Sequence, residues 1–80
     1  MHRTLQLKND KVTTIYTNRA LCYLKLELWD RVLRDCRLAL EIDKMMTKAH
    51  FFMGQALTEL GKFDEAIASY TTGNLPYYSL

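Results

Sequence analysis

One period limits what this chain can fold into: displaced by 34 residues, the sequence overlays on itself in chemical class. Thr13 falls on Thr47, Leu26 on Leu60, Trp29 on Phe63, Asp30 on Asp64, Val32 on Ala66 and Leu33 on Ile67. Ala20 falls on Gly54 and Cys22 on Ala56, which puts small residues where two helices must approach closely. A fixed period of about 20 to 50 residues marks a stacked array of supersecondary units, each unable to bury its apolar face alone.

Within a unit the apolar residues recur at three- and four-residue spacing, as in Ala20, Tyr23, Leu24 and then Val32, Cys36, Ala39, Leu40. That is helical spacing, and no stretch alternates as a strand does. Thr13 or Thr14 can open the first helix, and Asp30 reads as the N-cap or first-turn acid of the second, favourable with the helix dipole. Thr47 opens the third helix and Gly61 stops it. Asp64 and Glu65 open the fourth, which Gly73-Asn74 and Pro76 end. The expected helices are 13–27, 30–43, 47–60 and 63–73, with the residues before Asn9 as the last turns of an earlier one. By units, residues 1–12 are a remnant of a preceding repeat, 13–46 a full repeat, 47–74 a second, incomplete repeat and 75–80 a non-repeat tail. The fold class is all-α, a helical solenoid of about four helices in two antiparallel pairs.

At 80 residues the chain has room for one modest core. Two units and a remnant fall below the three or more that a repeat array generally needs. Apolar residues left uncovered at the ends, Leu5 and Leu7 at one and Leu75, Tyr77 and Tyr78 at the other, predict self-association. Eleven basic residues against nine acidic give a net charge of +2, too weak for a nucleic-acid binder. Arg31, Arg34 and Arg37 recur every three residues and are interrupted by Asp30 and Asp35, the pattern of a solvated helix face. No run reaches the roughly 18 apolar residues of a membrane span, and Met1 to Asn9 lacks the apolar run of a signal peptide. With two cysteines and no CxxC pair, reduced thiols in the cytoplasm are expected.

Enzyme motifs are absent from the sequence: there is no Gly-rich phosphate loop, no GxSxG and no HExxH. Cys22, Cys36 and His50 are each 14 residues apart, unlike the short paired spacings of zinc ligands. Both cysteines fall at packing positions that want a small hydrophobe, and no third group is available to orient a Cys-His nucleophile pair. No catalytic residue, metal or cofactor is expected.

The placement of Ala20, Tyr23, Val32, Cys36 and Ala39, then Gly54, Leu57, Ala66 and Tyr70, resembles the tetratricopeptide repeat. Four strings carry a closer resemblance: Tyr16 to Lys25, Asp35-Cys36-Arg37, Lys48 to Gln55 and Phe63 to Ala68. They look like the second and third repeats of the CHIP-type co-chaperone ubiquitin ligases, over roughly residues 8 to 70. The resemblance implies that the first helix of each unit lines a concave groove for an extended peptide. Thr14, Thr17, Asn18, Leu21 and Lys25 share one face of one such helix, and Lys48, Phe51, Phe52, Gln55 and Glu59 share that face of the next.

By the resemblance, Asn18 and Lys48 clamp the C-terminal carboxylate of the Glu-Glu-Val-Asp tails of cytosolic heat-shock chaperones, and Leu21, Phe51 and Phe52 form an apolar shelf. The chemistry suits those roles. An amide donates, an ammonium supplies a compact positive charge, and the apolar groups hold an aliphatic side chain. The plain alternatives are that Asn18 bonds to neighbouring backbone, Lys48 is a surface lysine and the two phenylalanines are core. The family's first repeat contributes a further clamp lysine and asparagine, of which residues 1–9 hold at most the last turns. Losing two charge-assisted hydrogen bonds of about 1.5 to 3 kcal/mol each removes much of the roughly 8 kcal/mol behind a micromolar complex, so weak binding is expected. The family's U-box has no counterpart in these residues, and no ligase activity is expected of them. A structural or assembly module with an empty groove is the competing reading.

Overall fold

The structure, a computed structural model, describes the backbone of residues 2–78 and the side chains of residues 11–73. Two residues in the left-handed region, 34 positions apart, divide the chain. Helix α3 (Thr47–Glu59) ends with Gly61 at φ 79°, whose N–H donates to the Thr58 carbonyl while that of Lys62 donates to the Leu57 carbonyl. Helix α1 (His2–Lys25) ends the same way: Glu27 sits at φ 61°, its N–H donates to the Leu24 carbonyl and that of Leu28 to the Tyr23 carbonyl. Both are Schellman turns. Each leads directly into the second helix of its unit, α2 (Trp29–Ile42) or α4 (Phe63–Tyr78).

The four helices match the expected order and pairing, but several boundaries differ. The residues ahead of Thr13 continue α1 instead of forming a separate earlier helix, because no Gly or Pro interrupts residues 2–25 and Thr13 lies inside the helix, buried. Asp30 is a first-turn acid; the N-cap is Leu28, which makes no side-chain capping bond. Gly73 does not end α4, which runs through Pro76 to Tyr78. It lies in close packing: a Cβ there would come within 3.1 Å of the His50 Cβ, and its carbonyl accepts a 3.2 Å hydrogen bond from the Thr47 hydroxyl. Leu5, Leu7, Leu75, Tyr77 and Tyr78, expected to expose apolar ends, have side chains outside the described residues.

The core is made of small residues. Ala20, Val32, Leu33, Cys36, Ala39, Ala49, Ala56, Leu57 and Ala66 form it, with Tyr16, Tyr23, Trp29, Phe52, Met53 and Tyr70 packed around them. Alanines let the helix axes come close, so the stabilisation is spread over many short contacts instead of a few large side chains. At one position even a methyl group is excluded. A Cβ on Gly54 would lie 2.6 to 2.8 Å from three atoms of the Tyr70 ring. The corresponding pair in the first unit is Ala20 and Cys36, so a larger residue on the first helix is matched by a smaller one on the second.

Packing runs from neighbour to neighbour. Helix α1 packs on α2 and α3, α2 on α3, and α3 on α4; among the described residues α4 packs closely only on α3. Helix α3 is therefore flanked on both sides and α1 on one. This explains a difference from the expected core: Ala56 is fully buried, whereas Cys22, its counterpart one repeat earlier, is exposed. Each of the four helices carries exposed residues along its described length, so every helix keeps a face in water.

Candidate functional site

Stacking unit on unit brings the first helices side by side. Leu21 and Lys25 of α1 and Gln55 and Glu59 of α3 line one cavity of about 340 Å³, with Trp29 and Tyr70 in its wall. The two helix faces singled out in the sequence thus converge into a single trough at this end. Lys25 and Glu59 are counterparts one repeat apart, both exposed, and put opposite charges at the rim.

Of the five expected contact residues, Leu21 lines this cavity, and Asn18, Lys48, Phe51 and Phe52 lie further along the same helices. Asn18 is one turn before Leu21 on α1, and Lys48 is in the first turn of α3. Both are exposed, and among the described residues neither has a hydrogen-bond or ion-pair partner, so Asn18 is not tied to neighbouring backbone there. Leu21 is 40% exposed, a large apolar side chain open to water. The phenylalanines differ from one another: Phe52 packs partly against the core, and the Phe51 ring lies 6.0 Å from that of Tyr70 in a tilted arrangement. Thr17 leaves the face assigned to it. It is fully buried, its hydroxyl donating back to the Thr13 carbonyl at 3.1 Å.

Sequence reasoning missed one polar pair altogether. Arg19 of α1 grips Asp35 of α2 with two parallel bonds, Nε to Oδ2 at 2.8 Å and Nη2 to Oδ1 at 2.7 Å. The Asp35 side chain is 1% exposed and that of Arg19 50%, so the carboxylate lies beneath the guanidinium. The bond to Asp35, and then its charge, raises the Arg19 pKa. The visible signal was a lone Asp at position 35 among the inward-facing residues Val32, Cys36 and Ala39 of α2, which demands a partner once buried.

The chain has a tetratricopeptide-repeat fold. Comparison with known proteins agrees with the geometry. The chain is 43% identical over 65 residues to tetratricopeptide repeat protein 12 of Homo sapiens, a match covering 81% of this chain and 9% of that protein. It is 38% identical over 56 residues to the E3 ubiquitin-protein ligase CHIP of Arabidopsis thaliana, covering 70% of this chain and 20% of the ligase. To protein unc-45 homolog B of Mus musculus it is 39% identical over 66 residues, covering 80% of this chain and 7% of that protein. The chain thus spans a fifth or less of the length of each of these relatives. No family model matches it. Built of stacked helix pairs with an open trough, it is a protein-interaction module. Among the described residues no helix is long and apolar enough to cross a membrane.

Proposed function

We propose that the trough between α1 and α3 takes the acidic C-terminal tail of a cytosolic heat-shock chaperone, of Glu-Glu-Val-Asp type. Asn18 donates through its amide to the terminal carboxylate and Lys48 adds its charge, while Leu21, Phe51 and Phe52 receive the aliphatic side chain. The observation that carries this reading is the freedom of the two polar groups. Asn18 and Lys48 are exposed and unpartnered among the described residues, on the two helix faces that converge at the Leu21 cavity. An unpaired amide and ammonium beside exposed apolar surface suit an anion attached to a greasy residue better than bulk water. In this reading the segment serves a CHIP-like co-chaperone in the cytoplasm, and ubiquitination of chaperone clients belongs to the longer protein.

Calorimetric titration with a Glu-Glu-Val-Asp peptide tests it. Binding by the 80-residue chain should be weak, nearer millimolar than micromolar. Lys48→Ala should weaken it at least about tenfold, the effect of losing one charge-assisted bond. A titration that Lys48→Ala and Asn18→Ala leave unchanged would sink the proposal. The assembly reading draws on Phe63 and Ile67, each 62% exposed on α4, and under it Lys48→Ala alters neither peptide binding nor oligomer size.

A further inference from the structure

The side of α1 turned away from the trough carries a second polar feature, independent of the tail-binding reading. At 3.6 residues per turn, Arg19 and Tyr23 lie about 100° to 160° round the helix from Asn18, Leu21 and Lys25. There they meet Arg31 and Arg34 of α2 and enclose, with Asp35, a pocket of about 250 Å³. Three guanidinium groups and one carboxylate leave this pocket with a net charge of +2.

The carboxylate does not face an incoming ligand. Asp35 is buried and both its oxygens accept from Arg19, one from Nε–H and one from Nη2–H. That grip uses one edge of the planar guanidinium and leaves the Nη1–Nη2 edge free, with two parallel N–H groups. A second cation is held beside it, since the Arg31 guanidinium lies 5.7 Å from the Tyr23 ring centre, over its face. The Arg19 guanidinium is itself 6.0 Å from the Tyr16 ring. Arg34, exposed, has no ion-pair or hydrogen-bond partner among the described residues. Two arginines fixed in place by an ion pair and by aromatic faces, with a third free, give up less conformational freedom on binding than three solvated side chains do.

From this arrangement we infer that the pocket between α1 and α2 binds a phosphate-type dianion. A net charge of +2 matches a dianion, and planar forks of parallel N–H groups suit phosphate oxygens. The dianion is either a phosphomonoester carried on another protein chain or free phosphate. Titration of the 80-residue chain, followed by NMR of arginine side-chain and backbone amides, separates the two. One arm uses N-acetyl-phosphoserine methylamide, the other inorganic phosphate.

Saturable shifts at Arg19, Arg31 and Arg34, with a dissociation constant on the order of 1 mM, are expected. Tighter binding of the phosphoserine compound assigns the site to phosphorylated chains, and equal or tighter binding of inorganic phosphate assigns it to the free anion. The double variant Arg31→Gln, Arg34→Gln removes two exposed cations and leaves the Arg19–Asp35 pair that the fold needs; it should bind at least about tenfold more weakly. The inference is overturned if neither compound gives saturable shifts at these arginines, or if the double variant binds as the parent does. It is equally overturned if Lys48→Ala abolishes the binding, which would place the anion in the trough.

Discussion

Cys22 and Cys36 are the same residue type with different chemistry. Burial in the α2 core, and then the neighbouring Asp35 carboxylate, push the Cys36 thiol up to about 12, from 9.0 when unfolded. The thiolate is the nucleophile, so at about pH 8 an alkylating reagent should modify exposed Cys22 and leave Cys36 untouched until the chain unfolds. Mass spectrometry should show one adduct on the native chain and two in denaturant. A raised thiol pKa also has a definite sign in stability. Its contribution is complete below pH 9.0 and is lost as pH rises towards about 12, so alkaline unfolding should begin in that window. Asp35 shows the same dependence on neighbours: its sequence position demanded a partner, but only the approach of α1 to α2 selected Arg19, 16 residues away.

Among the elements, the two interhelical turns have the same hydrogen bonds and different residues. Gly61 adopts its left-handed conformation without a Cβ, whereas Glu27, at φ 61°, bears the steric cost of about 1 to 2 kcal/mol that this region imposes on other residues. Glu27→Gly should therefore stabilise the chain by about 0.5 to 1 kcal/mol, after the greater freedom that glycine gives the unfolded state. Urea unfolding measures it, and a lower midpoint would mean that the Glu27 side chain does something the backbone geometry does not reveal. Gly61 was legible as a stop because glycine advertises this conformation. Glu27 was not, since a glutamate gives no sign in the sequence of a left-handed φ. Gly73 misled in the opposite direction, its lack of a side chain serving close approach to His50 and not a helix end.

In the whole molecule, neighbour-to-neighbour stacking leaves the outer face of α4 without a described partner. Phe63 and Ile67 are each 62% exposed, while Trp29 and Leu33, their counterparts one repeat earlier, are half-buried and buried. Apolar side chains that one unit covers and the next leaves open favour association, and binding to the folded state alone makes its stability depend on concentration. The melting temperature of the chain should rise with protein concentration. The double variant Phe63→Glu, Ile67→Lys should abolish that dependence and sediment as a monomer, whereas a parent chain already monomeric at every concentration would refute the prediction.

The 34-residue period by itself determined the helical class, the pairing and the order of four elements, because periodicity is a local property that each unit repeats. It also marked the faces that bear Leu21, Lys25, Gln55 and Glu59, which meet at one cavity. Position within the stack was not in the period. Only the tertiary structure decided that Cys22 is exposed where Ala56 is buried, that Arg19 holds Asp35, that Thr17 turns inward, and that arginines spaced as a solvated face share a pocket. Equivalent sequence positions have different neighbours, and burial and charge pairing depend on the neighbours.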